Sequence, residues 1–118
     1  MITRIKSNRI IKDTELVSGY VYFEDGIITG VSDKELPFDR EYDAGDLYVS
    51  PGFIDIHTHG GNGHDFINSA EDVVSACNFH LTHGTTSICP TISAAPIEKM
   101  RAAAGYIAGI VYKALSKN

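Results

Sequence analysis

The chain has 118 residues, 43% of them hydrophobic and 21% charged, which suits a small globular unit with a modest core. A formal net charge of −5 and the lack of a Lys/Arg stripe argue against a nucleic-acid partner. The N-terminal MITRIKSNRII has no apolar signal region, no apolar run nears the ~20 residues that span a bilayer, and two cysteines without a CxxC fit a reduced, cytoplasmic protein with no membrane partner.

The first fifty residues read as strands and turns. IKSNRII predicts two short strands about Ser7-Asn8. In GYVYFEDGIITGVS two β-rich runs flank Asp25-Gly26, a favoured two-residue hairpin turn. Val21 and Phe23 then share one face and Tyr20 and Tyr22 the other. PFDREYDAGDLYV holds one or two further short strands. Residues 1–49 are thus expected to form a small β domain, part of a sandwich-like arrangement.

The pattern changes beyond Val49. Phe53 to His59 predicts a strand. NSAEDVVSACNFHLTHG predicts a helix with Ser69 as N-cap, Asp72 three residues on, a buried stripe of Ala70, Val73, Cys77 and Leu81, and Gly84 as its stop. TTSICPTI predicts a second strand from Thr85 to about Ile92. Pro96 suits the first turn of a second helix, which carries Ile97, Met100, Ala104, Ile107, Val111 and Leu115 at helical spacing. Strand, helix, strand, helix is the order that builds a parallel sheet with helices outside, so residues 50–118 read as α/β. Two such strands leave edges and faces without cover. The expectation is a piece of something larger, or a subunit completed by other chains.

The stretch PGFIDIHTHGG carries the chemistry. Alternation along the strand puts Phe53, Asp55, His57 and His59 on one face and Ile54 and Ile56 on the other, where they would pack under helices. His57 and His59 project together at the C-terminal end, where (β/α) enzymes keep their active sites. Neutral imidazoles are good ligands for Zn or Fe, and two of them leave positions for water and further ligands. Gly60, Gly61 and Gly63 permit unusual backbone angles and close approach of a ligand. The plainer alternative is a pair of polar residues at a strand end, because HxH alone is a weak motif.

SPGFIDIHTHGGNGHDF resembles the first barrel strand of the amidohydrolase superfamily, and within it the N-acetylglucosamine-6-phosphate deacetylases. FHLTHGTTSICPTI is similar to that family's second barrel strand and the helix end before it. YFEDGIITGVS and YDAGDLYVSPGFID resemble its small N-terminal β domain. The resemblance implies an α/β fold: a small β domain over residues 1–49, then the first two βα units of a TIM-like metal-dependent hydrolase barrel over residues 50–118. It implies hydrolysis of the acetamide of N-acetylglucosamine 6-phosphate to glucosamine 6-phosphate and acetate. A metal activates the attacking water and a carboxylate shuttles the proton. It makes His57 and His59 metal ligands, with one or two divalent ions, Zn or Fe, in a complete enzyme. Gly60, Gly61 and His64 are its candidate substrate contacts. It also implies a homodimer. The strand bearing a Glu ligand, the later barrel histidines and the catalytic Asp have no counterpart in these residues. The chain is therefore expected to be an N-terminal fragment, inactive alone, with no bound metal as the alternative.

Other residues carry plainer expectations. Asp55 reads as a structural hydrogen-bonding group, and Asp65 with His64 as a polar pair near the substrate. His80 and His83 suit a helix C-terminus through the dipole. Cys77 reads as core, Cys89 as facing a barrel interior, and Thr85, Thr86 and Thr91 as strand formers. Competing readings are another amidohydrolase, such as a cyclic amidase or deaminase, and a non-catalytic fragment acting only by self-association.

Overall fold

The computed structural model describes residues 1–115. Its elements fall into two units, Met1–Pro51 and a second that begins at Gly52. The first unit contains β1 (Ile2–Lys12), β2 (Glu15–Glu24), β3 (Ile27–Ser32), β4 (Arg40–Asp43) and β5 (Tyr48–Val49). These form one mixed sheet in the order β3-β2-β1-β4, with β5 also on β1. The β2–β3 hairpin closes at Asp25-Gly26, whose φ values of 51° and 79° are the left-handed pair that a tight hairpin turn demands. β4 and β5 both run parallel to β1, β4 beside Thr3–Lys6 and β5 beside Arg9–Ile10.

IKSNRII is not two strands. It lies within one long strand whose register shifts between Ser7 and Ile10. The Ser7 hydroxyl is buried, donates to the Leu47 carbonyl at 2.7 Å and accepts from the Arg9 amide at 2.9 Å. The Asn8 amide donates to the Gly45 carbonyl at 2.8 Å. A polar pair that would end a strand is thus satisfied inside a bulge, by the turn that joins β4 to β5.

The two faces of this sheet differ in character. Val21 and Phe23 join Ile5, Ile10, Ile28, Val31 and Val49 around an apolar cavity of about 160 Å³. On the opposite side the Tyr20 and Tyr22 rings lie 6.1 Å apart. The Arg4 guanidinium stacks over Tyr20 and Phe38 and pairs with Glu35 and Glu41. Burial pulls its pKa down, but hydrogen bonds with Tyr22, Glu35 and Glu41 raise it further, so the buried cation stays charged.

The second unit contains β6 (Phe53–Thr58), β7 (Gly60–Gly61), β8 (His64–Asp65), α1 (Ala70–Thr82), β9 (Thr85–Pro90) and α2 (Ile97–Leu115). β6 and β9 pair in parallel and β7 and β8 form a small antiparallel hairpin. The Phe53 amide donates to the Gly84 carbonyl and the Thr91 amide to the Thr58 carbonyl, at 2.9 and 2.8 Å. Ser69 caps α1 by accepting from the Asp72 amide, and Gly84, at φ 91°, follows the C-cap His83.

The core of this unit is Phe66, Val73 and Ala76, with Cys77, Ile88, Ile107 and Ile110 packed against it. The expected stripes are met in part: Val73, Cys77 and Ile107 pack in the core, and other members of each stripe do not. On α1 the buried residues are Val73 and Ala76, while Leu81 is exposed. On α2 the buried residue is Ala103, with Ile107 and Ile110 half-buried; Ile97, Ala104 and Val111 are exposed. The reason is the contact between α1 and α2. Alanines 76 and 103 are both fully buried, and small side chains let two backbones approach. The Leu115 side chain lies outside the described residues. The strand expectation for Ile54 and Ile56 also fails, since they are 71% and 76% exposed. The first helix packs over β7, β8 and β9 instead, and leaves that face of β6 open.

Candidate metal centre

Alternation along β6 brings the two histidines together. Their ring centroids lie 5.2 Å apart with planes at 80°. That spacing suits a shared ion: two imidazoles bound at ~2.1 Å on one tetrahedral metal have ring centres about 5 Å apart. The two rings differ in how they are held. His59 Nδ1 lies 3.0 Å from the Thr91 carbonyl, which can only accept, so this nitrogen carries the proton. Ser93 Oγ lies 3.2 Å from the same nitrogen. Nε2 is left with its lone pair, the tautomer that metal-binding histidines take when a carbonyl holds the other nitrogen. The His57 ring makes no hydrogen bond among the described residues, and both of its nitrogens are open. Asp55 turns its carboxylate onto the His57 amide at 3.0 Å, a local structural bond. No cluster of three or more His, Cys, Asp or Glu side chains fit to hold a metal occurs among the described residues. The histidine pair thus brings two imidazole donors together without a third such side chain beside them among these residues.

The glycines after His59 form a hairpin. Gly60 pairs with Asp65 and Gly61 with His64. Asn62 and Gly63 make the turn at φ 52° and 81°. The space beside the first two glycines is taken by the chain. A Cβ on Gly60 would sit 2.0 Å from the His64 carbonyl oxygen. One on Gly61 would sit 2.9 Å from His80 Nε2. Beside Gly63 there is open space to 4 Å.

His64 stands on the second strand of this hairpin, half-buried. Its Nδ1–H donates to Asp72 Oδ1 at 2.6 Å, which leaves Nε2 available. Asp65 accepts from the Ile67 amide at 3.0 Å and so orders the chain leaving the hairpin. His80 donates from Nε2 to the Gly60 carbonyl at 3.0 Å, and His83 from Nδ1 to the Phe79 carbonyl at 2.9 Å. Cys77 is half-buried and burial pushes its thiol pKa up, while Cys89 is exposed. Thr91 enters the site through its carbonyl. Partners not foreseen in their roles are Thr91 and Ser93 on His59, Asp72 on His64, and His80 on Gly60.

The bond from His64, with a smaller contribution from Ser69, holds the Asp72 carboxyl below its ordinary 3.8 against the opposing effect of burial. A lowered folded pKa means that this contribution to stability is complete above pH 3.8 and is lost as the pH falls through the folded value. Asp72→Ala is expected to lower the melting temperature at pH 7. The gap to the parent chain should close below pH 3.8, and a gap that stays constant there would rule out the carboxylate as its source.

Among the described residues no helix is long and apolar enough to cross a membrane. The amidohydrolase family model matches residues 48–115. The chain is similar to the N-acetylglucosamine-6-phosphate deacetylase of Bos taurus, 42% identical over 64 residues, covering 51% of this chain and 16% of that protein. It is also similar to the enzyme of that name from Bacillus subtilis (strain 168), 36% identical over 92 residues, covering 74% and 23%. Among solved structures, N-acetyl-D-glucosamine-6-phosphate deacetylase from Mycobacterium smegmatis, a mutant in complex with N-acetyl-D-glucosamine-6-phosphate, superposes with a TM-score of 0.83 at 25% identity. That match covers 95% of this chain and 30% of the other. The chain thus spans less than a third of the length of each of these relatives. The family match takes in the histidine pair, the glycine hairpin and both helices, and on that ground the chain belongs to the amidohydrolase family.

Proposed function

We propose that this chain forms one wall of the active site of a deacetylase that hydrolyses N-acetylglucosamine 6-phosphate to glucosamine 6-phosphate and acetate. The observation that carries the reading is the pair of imidazoles 5.2 Å apart, in a chain whose relatives bear that enzyme's name. His59, through Nε2, and His57 would hold a divalent metal of the kind the family uses, Zn or Fe. When bound, such an ion polarises an acyl oxygen and lowers the pKa of water to about 7. The chain's own residues orient and bind. The Thr91 carbonyl keeps His59 in one tautomer. His64, with Nδ1 engaged by Asp72, offers Nε2 to a polar group of the sugar phosphate, while the Gly60 carbonyl is already taken by His80 and Thr58. In the net reaction the oxygen of water bonds to the acetyl carbon, the C–N bond breaks, and the amine leaves with the proton. The described residues supply neither a third ligand nor a carboxylate for that proton. The 118-residue chain alone is accordingly expected to be inactive.

A chimera tests this, with residues 1–118 in place of the matching part of the Bacillus subtilis enzyme. Acetate release by the chimera, and none by the chain alone, supports the proposal. Robust turnover by the isolated chain would contradict it. A folded, metal-loaded chimera that opens a cyclic amide and spares the sugar phosphate would move the chain to another branch of the family. The open face of Ile54 and Ile56 favours one further reading, association with a second copy or a complementary chain. Sedimentation at several concentrations would show a single small species if that reading fails.

A further inference from the structure

We infer that His80 is a positioning residue for the histidine pair, acting through the carbonyl of Gly60. The inference rests on the reading of His57 and His59 as ligands. Gly60 directly follows His59, and its carbonyl receives two donors, His80 Nε2 at 3.0 Å and Thr58 Oγ1 at 3.2 Å. The carbonyl can only accept, so the half-buried His80 ring carries its proton on Nε2. That nitrogen is thereby occupied, and His80 is no ligand through it.

The fit around the ring is close. Any Cβ on Gly61 would stand 2.9 Å from His80 Nε2 and 3.1 Å from Phe79 Cδ1. The glycine is what admits the ring. A second anchor ties the other strand of the hairpin to the same helix, where His64 donates to Asp72 at 2.6 Å. Residues 72 and 80 stand about 12 Å apart along the helix axis. Helix α1 therefore splints the hairpin at both ends. The His59 carbonyl is in turn bound by the Phe66 amide at 3.0 Å, just beyond the hairpin. The His59 and Gly60 carbonyls are thus both bound, which fixes the backbone on the C-terminal side of His59, and its ring is held by Thr91. Loss of the His80 bond frees the Gly60 peptide and lets the His59 ring wander from its partner, and a metal affinity set by pre-orientation falls with it.

The test uses the full chain, titrated with Co²⁺ and followed by visible absorption. Amide hydrogen exchange at Gly61 and His64 is the second readout. His80→Ala is expected to weaken Co²⁺ binding about tenfold and to speed exchange at both amides. His80→Gln keeps an N–H donor and should recover most of each. A merely structural role would lower the melting temperature and leave the affinity of the folded protein alone. Parent-like affinity in folded His80→Ala overturns the inference. His80→Leu, which fills the space without a donor, replaces the alanine variant if that one does not fold. If the parent chain takes up no Co²⁺, two imidazoles without the rest of the site do not hold the ion, and the ligand reading is decided by the same titration of the chimera with and without His57→Ala. The clamp is then decided by exchange: faster in His80→Ala and restored by glutamine upholds it, and equal rates in all variants overturn it.

Discussion

Replacing His57 with alanine is expected to reduce acetate release by the chimera at least about 100-fold and to weaken metal uptake by a similar factor. Removing a group that merely orients a ligand costs 10–100-fold in metal affinity, and a ligand lost outright costs no less. The same change should leave stability within about 0.5 kcal/mol of the parent, as for other surface substitutions without partners. His57 is exposed and its ring has no hydrogen bond among the described residues. His59 is different, because alanine there also releases the Thr91 carbonyl. Equilibrium dialysis against Zn²⁺ beside a thermal melt separates the two effects. A stable His57→Ala chain that retains its metal would remove this residue from the site.

Gly60→Ala is expected to be the most damaging single methyl in the hairpin, at about 3 kcal/mol or more. The residue sits at φ 156°, and the added Cβ would fall 2.0 Å from the His64 carbonyl oxygen and 2.9 Å from Asp65 Cα. Both of these are backbone atoms of the paired strand, so the clash yields only if the hairpin opens. Gly63→Ala supplies the control. Its φ of 81° disfavours alanine, but the Cβ would meet nothing within 4 Å. A cost of about 1–2 kcal/mol is expected there from conformation alone. Urea midpoints for the two variants would measure the difference. Equal losses would show that the close approach to His64 is not what requires a glycine at position 60.

Asp25-Gly26 announced the β2–β3 hairpin. Asn62-Gly63 is an equally good turn, but it lies in a run of glycines that reads as open loop. The order strand, helix, strand, helix followed from hydrophobic spacing, and the extent of each buried helix face did not. Spacing says that residues four apart share a face; which face is buried depends on the neighbour, here on the meeting of α1 with α2. Ile54 and Ile56 show the same limit, since alternation gave their side of the strand and said nothing about its cover. At the site, the imidazole pair was legible because the ligating atoms belong to side chains. Its supports were not, because the Thr91 and Gly60 carbonyls are backbone groups that any residue type would supply. Spacing places Asp72 in the helix cap, and its bond to His64 comes from the hairpin, which spacing does not show.

The strand at the start of the first unit sets an order of events. β1 meets β2 through a two-residue connection at Asp13-Thr14, and meets β4 from 37 residues away. Closing the nearer contact costs far less chain entropy, so the β1–β2–β3 meander should be in place at the barrier to folding, with β4 and β5 arriving afterwards. Stopped-flow measurements would then split by residue. Val21→Ala should mainly slow refolding, and Tyr42→Ala should mainly hasten unfolding. The turn between β4 and β5 completes the bonding of Ser7 and Asn8, so the bulge in β1 would be among the last features of that sheet to set.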